Sequence, residues 1–264
     1  MKIALIGAGN VATHLGRKLV EVGEEVVQVF SRSLPKATEL AKVLGARPID
    51  DLYGLTARAD LYIIAVHDDA IVDVVKKIGE FVPEDKLVVH TSGATPAKVF
   101  EAAPELNRTG VFYPLQTFTK GRQLDFSEVP ICLSVSQPAD LQVLETLALK
   151  LSPHVYKVND AQRAWLHLAA VFVNNFTNHL FEIGHSSLKK QQLPFEMLLP
   201  LIRETVAKLD SGPPKLMQTG PAVRHDWKTT ERHLTMLNGR GDLQDIYRIL
   251  TKHIKRVHED NWKH

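Results

Sequence analysis

A stripe of polar side chains inside an apolar stretch is the first candidate for chemistry. The stripe consists of His167, Val171, Asn174 and Asn178, which fall on one helical face at i, i+4, i+7 and i+11. Since an imidazole gives and takes protons near neutral pH, we predict that His167 is a general acid that protonates a carbonyl or imine as hydride arrives. Asn174 would orient the substrate. The alternative is a set of core or subunit-interface residues that satisfy one another's hydrogen bonds.

Two further side chains could complete such a site. Arg224 follows a Gly-Pro pair at 220–221, which we interpret as the start of a helix. A guanidinium there suits a carboxylate or phosphate, so we predict that Arg224 anchors an anionic small-molecule substrate; an ion pair with Asp226 is an equally good explanation. Tyr113 would donate a phenolic hydrogen bond across the cleft, or would merely pack on Pro114.

A glycine-rich turn near the start of the chain has the pattern of a phosphate-binding site. Residues 7–12 read Gly-Ala-Gly-Asn-Val-Ala, which matches G-x-G-x-x-G/A between an apolar strand and a helix. The first glycine permits a tight turn, the second lets the backbone approach a pyrophosphate, and the free amides of the helix face the phosphates. We therefore assign Gly7, Gly9, Asn10 and Val11 to a dinucleotide site, with an incidental glycine turn as the alternative.

The residues after the second predicted strand indicate which dinucleotide is bound. An enzyme that prefers NAD usually has Asp or Glu there, because the carboxylate accepts hydrogen bonds from the adenosine ribose. This chain instead has Ser31, Arg32 and Ser33. A guanidinium and two hydroxyls suit a 2′-phosphate, so we predict that NADP is favoured over NAD. A solvated loop arginine is the alternative.

Polar or small residues follow two more predicted strands and would extend the same crevice. They are Val66 and His67 after one strand, and Thr91, Ser92 and Gly93 after the next. Ligands of open parallel sheets bind outside the carboxyl ends of the strands, at the point where the strand order reverses. We therefore place the first pair beside the ribose or nicotinamide, and the other three near the nicotinamide ring.

The periodicity of the chain changes near residue 158. Before it, apolar strands at 2–6, 26–30, 61–66, 87–90, 109–112, 129–135 and 154–158 alternate with helices at 11–22, 35–44, 71–81 and 139–151. After it, only helical patterns occur, at about 160–188, 195–209, 226–237 and 243–258, with a loop at 211–214. We predict an α/β fold: a Rossmann-type, mainly parallel sheet in a domain at 1–158, followed by an all-α domain at 159–264.

Composition limits the partners. Among 264 residues, 32 basic and 30 acidic side chains nearly cancel, so we expect no nucleic-acid or membrane partner. The single cysteine excludes an internal disulfide, and no histidine spacing matches a metal site, so we expect a soluble cytoplasmic protein without a metal. Apolar side chains surround the long helix, among them Phe172, Phe176, Leu180 and Phe181. They predict a homodimer through the helical domain.

Two resemblances to known families rest on these motifs. The first hundred residues resemble the N-terminal domain of pyrroline-5-carboxylate reductases, coenzyme F420-dependent NADP reductases and β-hydroxyacid dehydrogenases, through residues 7–12, 31–33 and 61–68. The whole chain resembles Rossmann-like proteins whose second half is the domain of unknown function 2520. The carriers of that resemblance are 113–118 (Tyr-Pro-Leu-Gln-Thr-Phe), 167–175, and Thr219, Gly220 and Pro221 with Arg224, Asp226 and His233.

The resemblance implies an NADP-dependent oxidoreductase of unassigned substrate. We expect hydride transfer to or from a small carbonyl, imine or hydroxy compound. The alternative is a non-catalytic NADP-binding sensor or interaction protein. It is supported by two departures: the stretch 165–178 lacks the helix lysine of β-hydroxyacid dehydrogenases, and Tyr113 stands where the resembled proteins usually have His.

Overall fold

The structure is a computed structural model that describes residues 1–259. The chain divides into two compact units, one spanning Met1–His179 and a second that begins at Leu180. The last strand ends at Lys157. The predicted domain boundary at residue 158 therefore coincides with the end of the sheet, whereas the compact unit extends into the helices that follow; the boundary itself stays a prediction.

An eight-stranded sheet organises the first unit. Its strands are β1 (Lys2–Ile6), β2 (Glu25–Phe30), β3 (Arg47–Ile49), β4 (Leu61–Ile64), β5 (Leu87–His90), β6 (Arg108–Pro114), β7 (Ile131–Val135) and β8 (Val155–Lys157). They lie in the order β3-β2-β1-β4-β5-β6-β7-β8, and every neighbouring pair is parallel except β6 and β7. The predicted Rossmann-type, mainly parallel sheet is confirmed.

Helices cover both faces of this sheet because its central strands alternate between two cores. Four α-helices connect strands of the sheet: α1 (Asn10–Glu21), α2 (Leu34–Leu44), α3 (Asp68–Gly79) and α4 (Pro138–Leu151). In β1, Ile3 and Leu5 pack with residues of α1, α2 and α4, whereas Ala4 and Ile6 pack with residues of α3. Strands buried on both faces explain the continuous apolar runs in the sequence.

The strand order reverses at β1. The chain leaves β1 towards β2 and β3 on one side and returns to β4 on the other. The connections that leave the carboxyl ends of β1 and β4 therefore run to opposite sides and leave a crevice, which is where ligands of open α/β sheets bind.

Helices account for the regular structure after β8 in the described residues. They are α5 (Asp160–Ala170), a π-helical turn (Val171–Phe176), α6 (Thr177–Lys190), α7 (Leu199–Ala207), α8 (Pro214–Met217), α9 (Trp227–Met236) and α10 (Gly241–Glu259). The predicted helical second half is thereby confirmed. None of the helices described within residues 1–259 combines the length and the apolarity needed to cross a membrane.

Several local predictions were wrong. β3 was missed because three residues are too few for periodicity, and the short α8 begins where we predicted a loop. Residues 220–221 do not start a helix: Gly220 and His225 adopt positive φ angles of 116° and 55°, and turns run until α9 begins at Trp227. Asp226 caps α9 as predicted, since its carboxylate accepts from the Thr229 amide.

Candidate active site

A cleft of about 1280 Å³ lies at the carboxyl edge of the parallel strands. Its lining comes from the residues that follow β1, β2, β3, β4 and β5, from the end of β6, and from α5 with its π-helical turn. The volume exceeds that of a typical single-ligand site, which is about 300–1,000 Å³. It is large enough for a dinucleotide together with a small substrate.

The turn after β1 fits a phosphate for two different reasons. Gly7 has a φ of 131°, and a Cβ there would lie 2.2 Å from the Ala65 carbonyl oxygen, so only glycine fits this crossing over the end of β4. A Cβ at Gly9 would meet no protein atom within 4 Å. The protein's own packing therefore does not require glycine at residue 9, whereas the close approach of a pyrophosphate to the backbone does.

The first turn of α1 is open to an anion. Its N-cap is Gly9, which has no side chain to accept from the first amides, and the first turn contains no acidic residue. Val11 lines the cleft beside it. The Asn10 side chain is already engaged, because its amide donates to the Phe118 carbonyl at 2.9 Å. In this turn the backbone amides therefore remain the groups that would bind phosphate.

The residues after β2 and β3 carry the charges of the cleft at that end. Ser31, Arg32, Ser33 and Lys36 all line it. Arg32 is exposed, and within residues 1–259 its guanidinium makes no ion pair. Asp50 and Asp51, which follow β3, also line this end.

The strand ends of β4 and β5 place the remaining predicted cofactor residues differently. Val66, His67 and Thr91 line the cleft. The Ser92 side chain is buried and accepts hydrogen bonds from the amides of Ala94 and Thr95, at 3.1 and 2.9 Å, so its oxygen shapes the turn after β5. Neither Ser92 nor Gly93 belongs to the cleft lining.

Tyr113 and His167 meet at one side of the cleft. Their phenolic oxygen and Nδ1 atoms lie 3.4 Å apart, although 54 residues separate them in the chain. Gly93 lies against both: a Cβ there would be 2.5 Å from Tyr113 Cζ and 2.8 Å from His167 Nδ1. Burial raises the pKa of the Tyr113 phenol to about 12, so the phenol keeps its proton at neutral pH. The site thus combines a protonated phenol with an imidazole nitrogen 3.4 Å from it.

The π-helical turn decides which of the predicted stripe residues reach the cleft. His167, Val171 and Asn174 line it, and so does Asn175, whereas Asn178 does not. A π-helical turn contains more residues than an α-helical one, so positions after it rotate away from the face predicted with a period of 3.6. Such turns occur frequently at functional sites.

One functional candidate was missed. Arg163 lies one turn before His167 on α5 and is 1% exposed. The signal was present in the sequence, because residue 163 continues the stripe of residues 167, 171 and 174 at i−4. Sequence reasoning does not place an arginine on such a stripe, because this residue is rarely fully buried.

Arg224 belongs to the second unit, where its side chain is exposed. It helps to lower the pKa of the Asp226 carboxyl, behind the larger effect of hydrogen bonds from Thr229. Its predicted role as an anion anchor stays a prediction. Among the described residues, no group of three His, Cys, Asp or Glu side chains could hold a metal ion.

Comparison with protein families divides the chain into two matched parts. Residues 2–93 match the family described as NADP oxidoreductase, coenzyme F420-dependent, and residues 129–254 match the domain of unknown function 2520. Among curated proteins, none matches the chain.

Solved structures give matches over nearly the full length. A candidate NADP oxidoreductase from Bacteroides fragilis is 42% identical, with 97% of this chain and 98% of that chain covered and a TM-score of 0.91. The pyrroline carboxylate reductase of Plasmodium falciparum with NADP bound is 12% identical (98% of each chain, TM-score 0.63). An imine reductase from Myxococcus stipitatus in complex with NADP⁺ is 17% identical (100% and 94%, TM-score 0.65). The last two show a shared fold.

Gly93→Ala tests the contact beneath Tyr113 and His167. The new Cβ cannot fit without displacing a ring, so we expect the free energy of unfolding in urea to fall by about 1–3 kcal/mol. In a Tyr113→Ala background the loss should shrink by about 1 kcal/mol. Gly54→Ala is the control, because its Cβ would meet its nearest atom at 3.7 Å. Additive effects of the two substitutions would show that Gly93 and Tyr113 do not constrain each other.

Proposed function

This chain belongs to the family that joins an NADP oxidoreductase module of the coenzyme F420-dependent type to the domain of unknown function 2520, and from that premise we propose its activity. It is an NADP-dependent oxidoreductase that transfers hydride to or from a small carbonyl, imine or hydroxy compound. One observation carries the proposal: a single cleft is lined both by the phosphate-type turn at Gly7 and Gly9 and by Tyr113 and His167.

The residues of the cleft divide the cofactor between them. The amides at the start of α1 bind the pyrophosphate, and Arg32 with Ser31 and Ser33 binds the 2′-phosphate. Val66, His67 and Thr91 border the ribose and nicotinamide. The bound nicotinamide supplies or accepts the hydride.

NADP is proposed over NAD because of the charges after β2. The positions directly after Phe30 carry hydroxyls and a guanidinium where a carboxylate would select an unphosphorylated ribose. Lys36 adds a second cation to the cleft lining there. Asp50 and Asp51 act against this preference, but both follow β3, one strand further from the phosphate turn.

Tyr113 and His167 handle the proton. The phenol, which stays protonated, donates to the substrate atom, and the imidazole Nδ1 returns a proton to the phenolic oxygen. The separation of 3.4 Å is long for a hydrogen bond, and such contacts often shorten only when the substrate is bound. Asn174 and Asn175 offer amide groups that orient the substrate beside this pair.

Neither the structure nor the comparisons favour the alternative of a non-catalytic NADP-binding protein. That alternative was based on the absence of a helix lysine and on Tyr113 in place of His. The phenol of Tyr113 contacts the imidazole of His167. A proton donor is therefore available in the cleft without the helix lysine and without a histidine at position 113.

We also propose that two copies of the chain associate through the helical half. Large apolar side chains are exposed along α5 and its π-helical turn: Trp165 and Val173 are each 73% exposed, and Phe172 is 58% exposed. Several large exposed apolar side chains on one helical segment are uncommon on a monomer and typical of an interface.

Gly9→Ala separates cofactor binding from folding. The added Cβ meets no protein atom within 4 Å, so we expect the free energy of unfolding to change by no more than about 1 kcal/mol. It would occupy the space of the pyrophosphate, so NADPH binding, measured by fluorescence titration, should weaken at least about tenfold. Gly241→Ala, also with no atom within 4 Å, is the control for both measurements. Unchanged affinity in Gly9→Ala would place the dinucleotide elsewhere.

Arg32→Ala tests the choice of cofactor. We expect the wild type to bind NADPH more tightly than NADH, and the variant to lose about tenfold in NADPH affinity while NADH affinity stays constant, because only NADPH carries the 2′-phosphate. Arg58→Ala removes an exposed arginine outside the cleft and serves as the control. Equal losses for both cofactors would contradict a 2′-phosphate contact.

Trp165→Glu tests the association of two copies. We expect the wild type to sediment as a dimer and the variant as a monomer, because a buried carboxylate at an apolar interface is strongly unfavourable. Val43→Glu, at a 51% exposed apolar position on α2, should leave the dimer intact. A monomeric wild type at micromolar concentration would refute the proposal.

A further inference from the structure

An ion pair between the buried Arg163 and the partly exposed Asp160 does not line the cleft and takes no part in the functions proposed so far. The Arg163 side chain is 1% exposed, and its Nη1 lies 2.9 Å from Asp160 Oδ1. Its Nη2 donates to the Thr95 carbonyl at 2.6 Å. Burial of a guanidinium costs desolvation energy, which ion pairs and hydrogen bonds offset only in part. A role for the buried charge would account for its position.

The ion pair holds the turn that places Gly93. Arg163 binds the carbonyl of Thr95, and the second carboxylate oxygen of Asp160 accepts from the Ala97 amide at 2.8 Å. Both anchored residues lie within four positions of Gly93, the residue against which Tyr113 and His167 pack. α5 thus fixes the geometry of the proton-donating pair from two directions, through His167 itself and through this turn.

The charges of the pair are unequally screened. Asp160 is 39% exposed on its side chain and is screened by water, whereas Arg163 is not. The guanidinium Nε makes no hydrogen bond within the described residues, and Nη1 has Asp160 as its ion-pair partner. At the buried His90, Arg163 lowers the pKa by more than Asp160 raises it, so the field that reaches the interior is positive.

The other titratable groups around Tyr113 do not cancel that field. His90 is neutral, since burial lowers its pKa to about 4. The Cys132 thiol, which pairs with Tyr113 across β6 and β7, is also neutral because burial raises its pKa. Asp68 opposes Arg163 by raising the pKa of Tyr113, but it is exposed at the start of α3. His167 is the proton partner itself.

We propose that Arg163 is a positioning residue that selects the substrate class: a neutral carbonyl compound, whose oxygen becomes anionic during reduction, over a cationic iminium. The proposal rests on the proposed function and narrows it. A positive charge held in a low-dielectric interior stabilises a developing oxyanion and repels a cation. Carboxylates that could stabilise an iminium line the cleft only at Asp50, Asp51 and Asp73, on or after β3 and α3, among the described residues.

The proton and electron balance is that of a carbonyl reduction. The carbonyl carbon receives hydride with its electron pair from the reduced nicotinamide, and the C=O π pair moves to oxygen. That oxygen takes the phenolic proton of Tyr113. The phenolate then takes the Nδ1 proton of His167 while Nε2 of the same ring takes a proton from solvent, so that both rings end neutral. Arg163 stabilises the alkoxide and the phenolate in turn, without touching the substrate.

The first test needs no substrate. 3-Fluorotyrosine, whose phenol titrates at lower pH than tyrosine, is incorporated at the five tyrosines, and ¹⁹F NMR follows each pKa. Tyr113→Phe assigns the signal of residue 113. We expect Arg163→Met to raise the pKa at residue 113 by about one unit, because a stabilising cation is lost, and Asp160→Asn to lower it. A general loosening of the fold would move the pKa at residue 113 in the same direction in both variants, so pKa shifts of opposite sign identify a charge effect. Absence of any shift in Arg163→Met would overturn the proposal.

The second test measures substrate class. NADPH consumption is compared for small aldehydes and 2-oxo acids and for a cyclic imine such as 1-pyrroline. We expect turnover of a carbonyl compound, with kcat reduced at least about tenfold in Arg163→Met and partly retained in Arg163→Lys. Faster turnover of the imine would overturn the proposal. Failure of NADPH to bind would instead defeat the proposed function, and the fluorine titration would still decide the role of Arg163.

Discussion

The close approach of the turn after β1 to the end of β4 is the constraint on which the cleft depends. The Ala65 amide donates to the Ile6 carbonyl at 2.8 Å, and Gly7 crosses over the Ala65 carbonyl with no room for a Cβ. The crossing sets the direction in which α1 leaves the sheet. It also fixes the register of β1 and β4, the two strands between which the strand order reverses. Phosphate turn and crevice are therefore one geometric unit, held by main-chain packing.

The opposite side of the cleft is held by side chains instead. Tyr113 ends β6, Gly93 follows β5, and His167 projects from α5, so three elements far apart in sequence converge. The turn that carries Gly93 is held by Arg163 and Asp160, which bond to Thr95 and Ala97. The phosphate turn is built from the backbone and therefore tolerates many different side chains. The side of the cleft with Tyr113 and His167 is built from side chains and therefore depends on their identities.

The same division explains what the sequence could predict. Gly7, Gly9 and Arg32, which all line the cleft, could be singled out from the sequence because their pattern is local. The two strands, the helix between them and the turns that follow the strands lie within about thirty residues. The contact between Gly93, Tyr113 and His167 could not be derived, because it depends on the order of β5 and β6 in the sheet and on where α5 returns. The sequence placed Ser92 and Asn10 at the ends of strands but did not predict the hydrogen bonds of their side chains. Those bonds join backbone groups of turns, which pattern analysis does not resolve. Asn178 was misplaced because a periodicity of 3.6 residues assumes an uninterrupted α-helix.

Because of the π-helical turn at Val171–Phe176, the side chains that face the cleft depend on the number of residues in this helix. One residue more than an α-helix requires is accommodated there, and each residue of an α-helix turns the chain by about 100°. Loss of a single residue in the turn would therefore restore a regular α-helix, and the residues beyond the turn would keep their places because the turn already absorbs the extra residue. The side chains within the turn, among them Asn174 and Asn175, would be redistributed around the helix axis. A one-residue deletion here would thus change which amide groups face the cleft, whereas substitution at the exposed apolar positions would alter only the surface.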